Sequence, residues 1–304
     1  PGLAGPDRLF DPATWRIVGI DVSADPHATV RDVVRDQRRA LIERGIERLD
    51  VVIGGSLGGM QALQWAVDFP HAVGHAIAIA AHDHQTAMGI AYNAVQREAI
   101  AIEPARGLRL ARKLAMLTYK SDALLAARHD RRPDRNGLRI DARVCFDVEG
   151  YLEHQADVFE RRFDPARYVA LTHIMDSFDL RCHPERSAAS CHPERSAPSC
   201  HPERSAPSCH PERSTPSCHP ERSAEGAKSK DHYPRLTFVG ISSDLLFRPH
   251  DVRAASERFR TLGYDAAYVE MRTDHGHDAF LAESENVARL LSDRLAPTLA
   301  TTTP

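Results

Sequence analysis

The sequence predicts an α/β fold, a mostly parallel sheet with helices on both faces, and three observations carry that expectation. Short apolar runs alternate with longer segments whose apolar residues recur at helical spacing. The runs "LDVVI" (49–53) and "VGHAIAIAA" (73–81) are continuously apolar, as strands covered on both faces must be. Glycine or proline punctuates the periodic segments, at Gly45, Pro70 and Gly263.

In chain order, "WRIVGID" (15–21) is a β-branched run ending at an aspartate and reads as a strand. The next segment, "VRDVVRDQRRALIERGI", spaces Val30, Val33, Val34, Leu41, Ile42 and Ile46 on one helical face with arginines between them. "LDVVI" is a strand, "MQALQWAVDF" a helix stopped by Pro70, and "VGHAIAIAA" a strand. Residues 85–176 change character. "TAMGIAYNAVQREAIAI", "GLRLARKLAMLTYKSDALLAARH", "VEGYLEHQADVFERRF" and "ARYVALTHIMDSF" are successive amphipathic helices with no strand among them, which suggests a lid over the active edge of the core. The core pattern resumes with "RLTFVGISSD" as a strand, "VRAASERFRTLG" as a helix, "DAAYVEM" as a strand and "ENVARLLSDRLA" as a helix. The expected organisation is therefore core over 1–84, lid over 85–180, an insertion over 181–232 and core again over 233–304.

The insertion is a repeat. From Cys182 five near-copies of CHPERSAPS follow at a nine-residue period, each without Leu, Ile, Val or an aromatic residue. With nothing to bury, such a segment cannot offset the entropy of ordering, and disorder is expected. Its five Cys and five His are potential metal ligands, but no closely spaced pair of the C-x2-C kind accompanies them. Five of the six cysteines lie in the repeat, so the count says nothing about redox compartment; only Cys145 stands outside it.

Composition bounds the partners. At 42% hydrophobic and 27% charged residues with a net charge of −3, the 304-residue chain has the make-up of a globular protein without the positive field that recruits nucleic acid or an anionic membrane. No run reaches the roughly 20 apolar residues of a membrane span, and the first residues lack a signal-peptide pattern, so small-molecule partners and a cytoplasmic location are expected.

Chemistry concentrates at "VVIGGSLGGMQALQWA" (51–66). Gly54-Gly55-Ser56-Leu57-Gly58 fits G-x-S-x-G between a strand and a helix, the context of a nucleophile elbow: a turn so sharp that the serine is strained and its neighbours must be tiny. Gly59 leaves room for the helix to approach, and the N–H of Leu57 faces a developing oxyanion at the helix N-terminus. A serine needs a base and an orienting acid, in the chain order Ser, Asp, His. Asp244 lies just past one strand, and His275 and His277 both follow the next.

These residues resemble the homoserine O-acetyltransferase family of α/β-hydrolase fold acyltransferases. The matching stretches are "GGSLGGMQALQWA", "YNAVQREAI", "GLRLARKLAMLTYKSDALL", "RRFDPARYVALTHIMDSFD", "SSDLLFRP" and "GHDAFL", which together run from the elbow to near the C-terminus apart from the repeat. The resemblance implies Ser56 as nucleophile, Asp244 as triad acid and His277, rather than His275, as base. It implies that Arg112 and Asp278 hold the amino-acid acceptor, with Tyr119 facing the same pocket. A guanidinium fork suits an α-carboxylate and a carboxylate suits an α-ammonium. The implied reaction is ping-pong acetyl transfer from acetyl-CoA, a co-substrate, to the hydroxyl of L-homoserine in methionine biosynthesis, without metal or other cofactor, in a homodimer built through the lid helices.

The resemblance also has departures. Family members carry strands before the one matching "WRIVGID", and a loop there supplies a second oxyanion N–H; this sequence has no match for that segment, so the expected fold lacks the first strands. Losing one oxyanion donor costs about 100- to 1000-fold in turnover. The alternatives are a homoserine or serine O-succinyl- or O-acetyltransferase variant, an esterase with the same triad, and a non-catalytic truncated remnant.

Overall fold

The computed structural model describes residues 2–22, 25–140, 142–181 and 233–300. The repeat from residue 182 to 232 lies outside the described residues, and so do its expected disorder and its potential metal ligands. The described stretches on either side of it fall in one compact unit.

Four parallel strands in the order β1-β2-β5-β6 make the central sheet: β1 (Leu49–Gly55), β2 (Val73–Ile79), β5 (Arg235–Ile241) and β6 (Ala266–Met271). Registers such as Ile53↔Ile77, Ile77↔Thr237 and Val239↔Val269 keep their carboxyl ends level. The period of two is visible in the packing. Ala76, Ala78, Leu236 and Phe238 enter one apolar layer, under α1 (Val30–Ile42), α2 (Leu57–Asp68) and α8 (Pro249–Thr261). Ile77, Ile79, Val239 and Ile241 enter the opposite layer with Phe10 and with Val287 and Leu291 of α10 (Ser284–Ala300). Helices therefore cover both faces, the arrangement that continuously apolar strands require.

Local chemistry starts and stops the helices where the sequence places signals. Thr29 caps α1 through a capping box with Asp32, and Gly45 takes φ 70° just beyond its end. α2 ends before a 3-10 turn opened by Pro70. Between β2 and β5 lie α3 (Ala87–Ile102), α4 (Pro104–Tyr119), α5 (Asp122–Arg128), α6 (Asp147–Glu160) and α7 (Pro165–Asp176). Arg109 of α4 meets Glu153 at 3.0 Å, Asp157 at 2.6 Å and Glu160 at 2.8 Å, and Lys113 also bonds Glu153, so α6 is laced to α4. No helix among the described residues is long and apolar enough to cross a membrane.

Three expectations are corrected. Residues 15–21 are not a strand: they run alongside β1 without joining a ladder, and Ile17, Val18 and Ile20 are exposed. A cavity of about 1190 Å³, reaching Leu57 and Gly58, lies between them and β1, so β-branched composition there has no partner strand to act on. The helix read over 107–129 is two helices, because Ser121 leaves the helix to cap α5, its hydroxyl accepting from the N–H of Leu124 at 3.0 Å. Among the helices between β2 and β5, where no strand is expected, there is a two-residue antiparallel pair, β3 (Arg139–Ile140) with β4 (Arg143–Val144), too short to leave a period in the sequence.

Candidate active site

All four strands point their carboxyl ends at one edge, and the residues that follow them gather there. Ser56 makes the turn from β1 into α2 with φ 55° and ψ −121°, a conformation that costs a non-glycine residue about 1–3 kcal/mol. The turn is held from both sides: the N–H of Ser56 donates to the Ile79 carbonyl at 2.9 Å, and the N–H of Met60 to the Ser56 carbonyl at 3.0 Å. Its sharpness demands glycine at 54, where a Cβ would stand 2.7 Å from the Cα of Gly58 and closer still to that residue's carbonyl. A Cβ on Gly58, by contrast, would meet nothing within 4 Å. Leu57 opens α2, so its N–H is among those with no intrahelical acceptor, at the positive end of the helix.

Asp244 follows β5 with its carboxylate buried. One oxygen accepts from the N–H groups of Leu246 and Phe247 at 2.8 and 2.9 Å, and the other faces Nδ1 of His277 at 2.7 Å. Backbone donors leave that carboxylate one direction in which to act, and it fixes the imidazole with Nδ1 toward the acid, which leaves Nε2 as the nitrogen available for proton transfer. Of the two histidines the chain order left open, His277 is the one that meets Asp244. His275 turns away to Glu283, at 3.4 Å, and burial together with Lys120 and Arg128 lowers its affinity for a proton. The His277 ring is framed by Phe247 and Tyr119, each at 5.4 Å, and by Phe280 at 5.7 Å. Phe280 also joins the two halves of the site: a Cβ on Gly55, next to Ser56, would lie 2.7 Å from Cδ2 of its ring and closer still to Cε2.

Of the acceptor-binding residues expected from the resemblance, Tyr119 packs on this ring, Asp278 follows His277 in the chain, and Arg112 reaches Tyr119. The Arg112 guanidinium lies 4.9 Å from the centre of Phe159 and 5.8 Å from that of Tyr119, and its Nε is buried with no hydrogen-bond partner. Two aromatic faces hold the cation but leave that Nε–H without an acceptor, so an anionic ligand fits there. Burial raises the pKa of Tyr119, with Asp278 adding to the rise and Arg112 opposing it; burial likewise leads for Tyr151, which feels the same two charges. Asp278 is half-buried and pairs with Lys120 at 3.2 Å. Lys120, Tyr151, Phe247 and Phe280 were not singled out from sequence. Lys120 lies inside the quoted "TYKS" run, but only the tertiary contact shows whom it faces.

A second cluster, after β2, could offer ligands to a metal: His82, Asp83 and His84 bring one ligand atom each within 4.8 Å of one another. Both carboxylate oxygens of Asp83 are, however, taken by Arg258 at 2.6 and 2.7 Å, and that guanidinium opposes a further cation.

The α/β hydrolase fold family model matches residues 12–284. A homoserine O-acetyltransferase of Symbiobacterium thermophilum is 35% identical over 96% of this chain and 70% of its own length. A homoserine O-succinyltransferase of Nitrosospira multiformis is 32% identical over 95% of this chain and 70% of its own. Among solved structures, homoserine O-acetyltransferase from Staphylococcus aureus superposes with a TM-score of 0.62 at 25% identity, covering 90% of this chain and 71% of that one. The strained serine, the buried acid–imidazole pair and these likenesses together make the chain a member of the homoserine O-acetyltransferase family of the α/β-hydrolase fold.

Proposed function

We propose that this protein transfers an acetyl group from acetyl-CoA to the hydroxyl of L-homoserine through an acyl-enzyme on Ser56. The observation that carries the acceptor class is the buried, unpartnered Nε of Arg112, whose guanidinium lies 5.8 Å from the Tyr119 ring that packs on His277, the neighbour of Asp278 in the chain. One group suits an α-carboxylate, the other an α-ammonium. An esterase has no use for the pair.

In the first half-reaction His277 Nε2 takes the Ser56 hydroxyl proton while Oγ attacks the thioester carbonyl. The oxyanion is stabilised by the Leu57 N–H and the α2 dipole; the C–S bond then breaks, and the imidazolium proton leaves with the CoA thiol. In the second, His277 takes the proton of the homoserine hydroxyl, that oxygen attacks the acetyl ester, and the proton returns to Ser56 as it departs. Water as acceptor gives hydrolysis instead, so transfer depends on the lid helices excluding water while Arg112 and Asp278 orient the amino acid. No metal or other cofactor enters these steps. We place the protein in the cytoplasm and infer a homodimer through the lid helices, supported by apolar residues exposed on α3 and α4, among them Met88, Val95, Ile102 and Leu110.

The test mixes the protein with acetyl-CoA, and separately with succinyl-CoA, and follows free CoA thiol with and without L-homoserine. Homoserine-dependent release that yields the O-acetyl ester is expected, and Ser56→Ala should abolish the acyl-enzyme. Acylation that persists in that variant refutes the nucleophile. No release from folded protein refutes the acyltransfer reading.

A further inference from the structure

We infer that Lys120 is a positioning residue for the acceptor's ammonium: by holding one oxygen of Asp278 it presents the other to the amino acid. The inference rests on the acyltransfer reading above and assigns a residue that reading does not need.

Residues 119–121, where α4 gives way to α5, clasp the loop that carries the base. The Tyr119 carbonyl accepts from the N–H of Asp278 at 3.3 Å, and the Ser121 hydroxyl donates to the carbonyl of Asp274. Gly276, at φ 79°, sits so close that a Cβ would lie 2.6 Å from the Tyr119 carbonyl oxygen and 2.8 Å from the Ser121 nitrogen. Across the loop, the Ser243 hydroxyl accepts from the N–H of Gly276 at 2.9 Å. With backbone and hydroxyl groups already fixing the loop, the Lys120 ammonium is not required to hold it. It does something else.

Lys120 is buried, and its Nζ reaches Oδ2 of Asp278 at 3.2 Å. Oδ1 has no hydrogen-bond partner among the described residues, and the Asp278 side chain keeps 20% of its exposure. A carboxylate offers about four lone-pair sites, so one cation can fix its rotamer while a second binds. A half-buried aspartate without that counter-ion would be free to swing toward water, away from the side of the site where the Arg112 guanidinium lies 5.8 Å from the Tyr119 ring that packs on His277. Lys120 therefore lowers the ordering cost of ammonium binding rather than supplying binding energy of its own.

The experiment compares two acceptors, L-homoserine and 4-hydroxybutanoate, which differ only in the amino group, as the ratio of their kcat/KM values on one enzyme preparation. The ratio does not depend on how much of a variant is folded. In Lys120→Met it should fall about tenfold or more, the scale of losing one charge-assisted hydrogen bond. Lys120→Arg should restore most of it. Asp278→Asn should lower the ratio too, and adding Lys120→Met to that variant should lower it no further, because both substitutions remove one interaction. An unchanged ratio in Lys120→Met, or an undiminished second fall in the double variant, overturns the assignment and leaves Lys120 a structural ion pair. If the wild-type protein forms no O-acylhomoserine at all, it is the acyltransfer reading that falls.

Discussion

Two glycines of one motif should respond to alanine in opposite directions. At position 54 a Cβ would stand 2.7 Å from the Gly58 Cα and closer to its carbonyl, whereas ordinary carbon contacts are about 3.5–4.0 Å, so the chain must open by at least about 1 Å. Nothing nearby can swing aside. Residue 54 is locked in register with Ala78 of β2, and the first turn of α2 is tied through Ser56 to the Ile79 carbonyl. Overpacking backbone against backbone should cost Gly54→Ala about 3 kcal/mol or more. For a domain of this size each kcal/mol moves Tm by about 2–4 °C, so a drop of about 6–12 °C is expected. At position 58 the added methyl meets open space within a helix, where alanine is favoured over glycine by about 0.5–1 kcal/mol. Gly58→Ala should raise Tm by about 1–4 °C. Thermal and urea unfolding followed by circular dichroism on the three proteins in one buffer decides the matter. If Gly54→Ala melts with the wild type, or if both variants lose equally, the elbow is not packed as described.

Other perturbations test the remaining parts. Asp244→Asn keeps the shape of the buried acid but favours the wrong imidazole tautomer, and should lower kcat about 10³- to 10⁴-fold in the thiol-release assay; a loss under tenfold would mean another group orients His277. Burial is the main cause holding His75 and His82 to pKa values of about 4; in His82 the neighbouring His84 adds to the depression while Asp83 opposes it. Between about pH 6.5 and 4 the unfolded chain therefore takes up protons the folded chain refuses, so stability falls as pH drops through that window and is unaffected above it. His82→Phe, which keeps a ring against Phe247 and cannot be protonated, should flatten the dependence by up to about 1.4 kcal/mol per pH unit in urea titrations; an unaltered slope refutes the buried neutral state.

What could be read in advance follows from what each feature needs. β2 and β5 announce themselves because burial on both faces leaves continuous apolar runs, and the elbow because its sharp turn demands glycine at position 54. Residues 15–21 carry the same β-branched composition, but a strand exists only with a partner, and a neighbour across a cavity leaves no local mark. The break at Lys120–Ser121 has neither glycine nor proline; it is set by a hydroxyl that caps the next helix and docks on Asp274. His275 and His277 have equal claims in the linear sequence. The positive φ of Gly276 between them turns one to Asp244 and the other to Glu283. The pairing of Lys120 with Asp278 spans 158 positions and belongs to tertiary structure alone.

The place of β1 in the sheet has a dynamic consequence. It is zipped to β2 on one side, while its other side looks onto the cavity under residues 14–20. Edge strands open first, with free energies well below that of global unfolding. Each such opening would let Ser56 relax out of its φ 55° conformation without disturbing the acid–imidazole pair on β5 and β6. The strain that aims the nucleophile is thus only as durable as the last ladder of the sheet. Amide hydrogen exchange along Val51–Gly55 is then a direct gauge of how long the serine stays poised.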